Sequence, residues 1–138
     1  AAWDTDDLKA AQEYFNTAYA LGPQFSVLAV YAAAGNIAVG DTATADKVLL
    51  AAFGTTNVDS NILAVAYYRA KDWPRLIAMW KLRANTPGAS VDAWFSLAAA
   101  YYTAGDKANA VKTINTAVSL FPAAASSGAA AIKQIEGK

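Results

Sequence analysis

Side chains that could perform chemistry are few in this chain, and the two most versatile types are missing. The 138 residues include neither His nor Cys. Without them the chain cannot build a Ser-His-Asp triad, a cysteine nucleophile, a disulfide or a Cys/His zinc site. Carboxylate pairs such as Asp6/Asp7 remain, but they lie where a helix would begin, and no acid or base partner follows at a suitable spacing. We therefore expect no catalytic residue, no metal site and no cofactor, and a protein that is not an enzyme.

The overall composition excludes two further classes of function. Apolar residues make up 56% of the chain, charged residues 16%, and 11 basic side chains balance 11 acidic ones. Such a chain has ample apolar surface to fold, while its zero net charge argues against a dedicated nucleic-acid binder. No run of 18 consecutive apolar residues is present. We expect a single domain over residues 1–138 that neither binds nucleic acid nor inserts into a membrane.

An internal repeat is the main signal for the elements that would position functional side chains. Residues 61–72 and 95–106 align without gaps at an offset of 34 residues, and a shared Tyr-Tyr pair and a shared turn Asp coincide. This period fits one helical hairpin, with two helices of about 13–14 residues and short turns. The repeat therefore predicts helix pairs that stack on one another.

The last copy carries the clearest pattern of small and large residues. Its spaced positions are Trp94, Leu97, Ala98 and Tyr101, then Gly105 and Asp106, then Ala110, Ile114, Ala117 and Pro122. This pattern resembles the tetratricopeptide repeat. The resemblance implies an all-α, TPR-type α-solenoid of antiparallel helix hairpins, with about eight helices in a right-handed superhelix. It also implies protein binding, with the first helix of each pair lining a concave groove.

The turn residues of this copy have direct structural roles. Gly105 can adopt the left-handed conformation that ends a helix, and Asp106 can cap the next helix. Pro122 should end the second helix, and Pro74 in the preceding copy suits a first helical turn. Trp80 stands where other copies have small residues, so we expect wider helix spacing there or an indole that covers the gap.

The remaining copies divide the chain into five segments. Residues 90–122 form the best-matching repeat, 57–89 a third repeat and 26–56 a degenerate one. Residues 1–23 have the spacing of the second half of a repeat, and its first half would precede Ala1, so we expect a fragment of a longer protein. Residues 123–138 are rich in Ala and predict a C-terminal capping helix.

Candidate groove residues follow from the faces of the first helices that oppose their packing faces. They are Asn61, Val65, Tyr68, Arg69, Asp92, Phe95, Ala99 and Tyr102. Tyr68, Tyr102 and Phe95 could form an aromatic ribbon suited to an extended peptide. The alternative is that these rings only cover neighbouring helices, and the sequence leaves both interpretations open.

A second candidate surface is basic. It comprises Arg69, Lys71, Arg75, Lys81 and Arg83. Within this stretch only Asp72 opposes the positive charges, so the cluster could complement an acidic peptide, a phosphate or an anionic lipid. A solvated helix face is the other interpretation, and the sequence does not choose between them.

A further resemblance concerns the context of the chain. Residues 51–59, 66–73 and 131–138 resemble the C-terminal repeats of bacterial O-antigen ligase/polymerase-like membrane proteins. The resemblance implies an appendage of an envelope-associated protein on the extracytoplasmic side of a bacterial membrane. Without that resemblance we would expect a cytoplasmic protein.

Two functions from different classes follow from these observations. The first is a protein–protein interaction module that binds a peptide or partner segment in the groove. The alternative is a structural or oligomerisation element that associates with itself through the exposed ends of the solenoid.

Overall fold

A computed structural model describes residues 7–137, and helices account for nearly all of that range. Within residues 7–137 the eight α-helices are α1 (Leu8–Leu21), α2 (Ser26–Ala38), α3 (Thr42–Phe53), α4 (Asn61–Arg69), α5 (Trp73–Ala84), α6 (Val91–Thr103), α7 (Lys107–Leu120) and α8 (Ala125–Glu136). A short 3₁₀ turn, Pro122–Ala124, joins α7 to α8. The described residues contain no strand, and the helices pack in adjacent pairs. The predicted all-α helical-repeat fold is therefore confirmed.

The chain divides into two compact units, Ala1–Asp72 and Trp73–Lys138, here called the N-terminal and C-terminal units. In the N-terminal unit, α2 packs against α1, α3 and α4. In the C-terminal unit, α6 packs against α5 and α7, and α7 packs against α8. The division falls inside the segment 57–89 that the sequence assigns to one repeat. The predicted domain and repeat boundaries stay predictions.

Helices α2, α4 and α6 end in the same kind of turn. The residue at the turn has a positive φ in each case, 84° at Gly40, 57° at Lys71 and 87° at Gly105. The Asp that follows each one donates its backbone N–H to the carbonyl five residues earlier, at 2.8–2.9 Å. The left-handed conformation predicted for Gly105 is confirmed. Lys71 adopts the same conformation although it is not glycine.

The turn residues Asp41 and Asp106 also cap the helices that follow them. Asp41 accepts a hydrogen bond from the backbone N–H of Thr44, and Asp106 accepts one from that of Asn109, both at 3.1 Å. The side chains of Thr44 and Asn109 add a second hydrogen bond to each carboxylate. The predicted cap at Asp106 is confirmed. Because these hydrogen bonds favour the charged carboxylate, they lower the pKa of Asp41 and of Asp106.

The expected effects of the other turn residues are also found. Pro74 lies in the first turn of α5, and Pro122 follows the end of α7. Asp7 stands at the N-cap of α1, but its side chain makes no capping hydrogen bond. Asp6, the other member of the carboxylate pair, lies outside the described residues.

Small side chains fill the core of the N-terminal unit. Helix α2 buries eight consecutive or near-consecutive residues, namely Ala29, Val30, Ala32, Ala33, Ala34, Gly35, Asn36 and Ile37. A Cβ at Gly35 would lie 3.2 Å from Cα of Gln12, so α1 and α2 approach closely at this point. The small residues of α2 thus allow three neighbouring helices to contact it.

Two apolar clusters are found among the described residues of the C-terminal unit. One consists of Ala84, Ala93 and Leu97, and Trp80 and Trp94 pack against it. Trp80 thus lies over the core between α5 and α6, and the wider helix spacing that the sequence also allowed stays a prediction.

The other cluster joins α8 to the preceding hairpin. It consists of Ala98, Ala110, Ile114 and Ile135, with Ile132 packed against it. Residues 125–136 form the predicted helix, which packs against α7 as a capping helix would.

Candidate functional site

The four candidates on α4 lie on one face of that helix. Asn61, Val65, Tyr68 and Arg69 are all exposed, and 57% of the Tyr68 surface is accessible. The opposite face is buried and carries Leu63, Ala64, Ala66 and Tyr67. The structure thus separates a packing face of α4 from a face that a ligand could reach.

The four candidates on α6 show the same separation in the C-terminal unit. Asp92, Ala99 and Tyr102 are exposed, while Phe95 is half-buried. The packing face carries the buried residues Ala93, Leu97, Ala98 and Ala100. Phe95 packs against the cluster around Ala98 and Ile114, so its ring contributes to the core as well as to the surface.

The eight candidates belong to two units rather than one. Each set of four shares a helix, α4 in the N-terminal unit and α6 in the C-terminal unit. The aromatic ribbon that would join Tyr68 to Tyr102 stays a prediction.

A cavity lies between α6 and α8, and it is called here the α6–α8 cavity. Phe95, Ala99 and Tyr102 line it from α6, and Ala131, Gln134 and Ile135 line it from α8. The buried residues Ala98 and Ile114 complete the lining, and the volume is about 270 Å³. Most of the lining is apolar, with Gln134 and the Tyr102 hydroxyl as the polar exceptions.

A second cavity adjoins the first, since Phe95 and Ala131 line both. It contains Asp92 and is called the Asp92 cavity. Its volume is about 540 Å³, and its lining residues are Val91, Asp92, Phe95, Phe121, Ala123, Ala124, Ser127 and Ala131. All four α6 candidates therefore line one or both of these cavities.

The sequence prediction missed the contribution of α8 to this site. Ala131, Gln134 and Ile135 were assigned only to a capping helix, yet they form one wall of the α6–α8 cavity. A signal for this role exists, because α8 begins 34 residues after α6. Helix α8 thus stands where the first helix of a following repeat would stand.

The predicted basic surface is also divided between the units. Arg69 and Lys71 lie at the end of α4 and in the following turn, whereas Arg75, Lys81 and Arg83 lie on α5. The Arg83 guanidinium carbon is 4.6 Å from the ring centroid of Trp80, a cation–π contact. Lys81 and Arg83 occupy the last turn of α5, where positive charge favours the helix dipole. Arg83 thus packs against a ring of its own helix, and the partner-binding role of the basic surface stays a prediction.

Residues 7–137 contain no group of three or more Asp or Glu side chains that could hold a metal ion. Over the same residues, no helix has both the length and the apolar character needed to cross a membrane.

Comparison with known families identifies the segment that forms part of the lining of the two cavities. Residues 91–123 match the Tetratricopeptide repeat family. A tetratricopeptide repeat is present there. The match covers α6, α7 and the first two residues of the 3₁₀ turn that leads to α8. Tetratricopeptide repeats generally mediate protein–protein interactions and are typically non-catalytic.

The wider comparisons add no relatives. No curated protein and no solved structure matches the chain. The resemblance to O-antigen ligase/polymerase-like proteins receives no support from the family comparison and stays a prediction.

Proposed function

We propose that this chain is a non-catalytic protein–protein interaction module that binds a peptide or partner segment on the exposed faces of its first helices. One observation carries the proposal. All four candidates on α6 line two adjoining cavities, and they lie inside the tetratricopeptide repeat at residues 91–123.

The residue types at these cavities suit a peptide rather than a reaction. Phe95 and Ile135 provide apolar surface for a side chain, and the Tyr102 hydroxyl and the Gln134 amide can hydrogen-bond to a peptide backbone. On α4, Val65 and Tyr68 present the same combination of apolar surface and a hydroxyl group. These are the features that peptide-binding grooves use for affinity and orientation.

Selection of random peptides displayed on phage tests this proposal. The chain is immobilised, peptides are enriched over several rounds, and their binding is measured against variants. Ala99→Arg places a long charged side chain in the α6–α8 cavity and should reduce binding at least about tenfold. Ala129→Arg is the matched control, because Ala129 is exposed on α8 and does not line either cavity. Failure to enrich any peptide, or equal binding by both variants, would contradict the proposal.

The envelope context belongs to the same proposal. Its support is the resemblance of residues 51–59, 66–73 and 131–138 to the repeats of O-antigen ligase/polymerase-like proteins. Fractionation of the source cells, with an antibody against the C-terminal unit, is the test. Recovery with bacterial envelope membranes is expected, and recovery only with cytosolic proteins would refute this part.

Self-association is a second candidate function. Exposed apolar side chains at the C-terminal end of α1 and around the start of α2 favour it. Leu21 is 83% exposed, and Phe25 and Val27 are also exposed. Sedimentation over a range of concentrations would show dimers that Leu21→Asp and Phe25→Asp dissociate. A monomer at all concentrations would eliminate this candidate.

A further inference from the structure

We propose that the two cavities of the C-terminal unit select a peptide segment that combines one large apolar side chain with a Lys or Arg about three residues away. This inference rests on the proposed function and specifies the chemistry of the partner. Three observations carry it: the size and lining of the α6–α8 cavity, the charge of the Asp92 cavity, and the distance between them along α6.

The α6–α8 cavity fits a single side chain. Its volume of about 270 Å³ lies just below the range of roughly 300–1,000 Å³ typical of small-molecule sites. Ala98 and Ile114 are almost completely buried, and Phe95 and Ile135 add apolar surface. An apolar side chain placed there would leave water and contact mainly apolar surface, while the exposed side chains of Gln134 and Tyr102 can stay hydrated. A charged side chain would lose its hydration, since no charged residue lines this cavity in the described part of the chain.

The Asp92 cavity supplies the charge preference. Asp92 is the one charged side chain among the described residues that line either cavity. It lies in the first turn of α6, where the helix dipole favours the carboxylate. A Lys or Arg of the partner would complement this charge, whereas an Asp or Glu would be repelled. Because Asp92 is exposed, its contribution to affinity should be modest, and its main effect should be on selectivity.

The spacing follows from helix geometry. Asp92 and Ala99 are seven residues apart on α6, which corresponds to about 10 Å along the helix axis at about 1.5 Å per residue. An extended peptide advances about 3.3 Å per residue, so three residues span the same distance. A peptide lying along α6 can therefore place its apolar side chain near Ala99 and its cation near Asp92.

The experiment uses 12-residue random peptides displayed on phage, selected against the whole chain and against two charge-reversal variants. With the natural chain, enriched peptides should share a large apolar residue and a Lys or Arg about three positions away. Asp92→Lys should exchange this preference for Asp or Glu at the same spacing. Glu136→Lys is the matched control, because Glu136 is exposed and lines neither cavity, and it should leave the preference unchanged.

Synthetic copies of one enriched peptide then give the size of the effect. Replacing its basic residue with Glu should weaken binding about two- to fivefold at low salt, as expected for an exposed ion pair. The difference should disappear with Asp92→Asn. Far-UV circular dichroism confirms that each variant retains its helices.

The outcomes separate this inference from the function on which it rests. Enriched peptides without a basic residue, or a preference that Asp92→Lys leaves unchanged, would overturn the inference while the binding function stands. Dimers of the natural chain that Ala99→Arg dissociates would also overturn it, because a second copy would then be the occupant. If no peptide is enriched, the proposed function itself fails.

Discussion

Asn36 forms the centre of a buried amide network that joins α1 to α2. Its Oδ1 accepts hydrogen bonds from Gln12 Nε2 at 2.8 Å and from Asn16 Nδ2 at 3.2 Å. Its Nδ2 donates to Asn16 Oδ1 at 2.9 Å and to the Ala32 carbonyl at 2.8 Å. Because every polar atom of this buried side chain has a partner, the network fixes the register of one helix against the other.

Replacement of Asn36 with Ala should therefore destabilise the N-terminal unit. The variant leaves the amides of Gln12 and Asn16 without their partner, and we expect a loss of about 1–3 kcal/mol in the free energy of unfolding. Urea unfolding monitored by circular dichroism measures the loss. Asn115→Ala is the matched control, since Asn115 is exposed on α7. A loss for Asn36→Ala no larger than that of the control would show that the network contributes nothing to stability.

Lys71 is a residue whose substitution should increase stability. Its φ of 57° is left-handed, a conformation that costs non-glycine residues roughly 1–2 kcal/mol. Glycine occupies the corresponding turn positions, Gly40 and Gly105, with the same conformation. Glycine has greater freedom in the unfolded chain, and this entropy offsets part of the gain from removing the strain. We therefore expect Lys71→Gly to raise the free energy of unfolding by about 0.5–1 kcal/mol.

The reverse substitution provides the control for this effect. Gly105→Lys introduces the same strain into the turn between α6 and α7 and should lower stability by a similar amount. No atom lies within 4 Å of a Cβ placed at Gly105, so the backbone conformation alone would be tested. Thermal unfolding of the two variants should shift in opposite directions, and a shift in the same direction would refute the explanation.

At the scale of the elements, the contact between α7 and α8 depends on one glycine. A Cβ at Gly128 would lie 2.5 Å from Val118 Cγ2 and 3.3 Å from Ile114 Cγ2. Val is stiff at χ1 in a helix, so Val118 cannot easily turn away. The absence of a side chain at Gly128 thus allows α8 to pack closely on α7.

Gly128→Ala distinguishes this packing role from helix propensity. Ala within an exposed helix would stabilise it by up to about 1 kcal/mol relative to Gly. At this position we expect Ala to destabilise the protein instead, and overpacking should lower the free energy of unfolding by about 1–3 kcal/mol. Val118→Ala should restore much of the loss in the double variant, which gives a coupling energy of about 1 kcal/mol or more. Urea unfolding of the four proteins measures that coupling, and additive effects would exclude direct contact between these positions.

At the scale of the whole molecule, periodicity predicts the helices better than it predicts their contacts. The recurrence of Tyr-Tyr and of the turn Asp locates α4, α6 and the turns that follow them, because similar local sequences form similar turns. The Asn36 network could not be predicted in this way, since Gln12 lies 24 residues from Asn36 and no repeated pattern links them. Lys71 was also missed, because residue type alone does not reveal a left-handed lysine.

Periodicity likewise predicts the α6 face of the candidate site but not the wall that α8 provides. The exposed face of α6 follows from helical spacing, which places Asp92, Phe95, Ala99 and Tyr102 opposite the packing face. The wall from α8 required knowledge of how closely that helix approaches α7. That approach depends on the fit of Gly128 against Val118, which is a matter of side-chain packing and not of periodicity.

Both units contain an Asp cap whose charge contributes to stability, so the acid unfolding of the whole chain should depend on these caps. Hydrogen bonds from Thr44 lower the pKa of Asp41, and hydrogen bonds from Asn109 lower that of Asp106. An Asp with a lowered folded pKa stabilises the protein above its unfolded pKa of about 3.9, and the contribution is lost as the pH falls through the folded value.

The double variant Asp41→Asn, Asp106→Asn keeps a capping side chain but removes the titrating groups. Its thermal midpoint should therefore fall less than that of the natural chain between about pH 5 and pH 2. Asp7→Asn is the control, because Asp7 is an N-cap residue without a capping hydrogen bond. Equally steep acid destabilisation of the natural chain and the double variant would show that the caps do not carry the pH dependence.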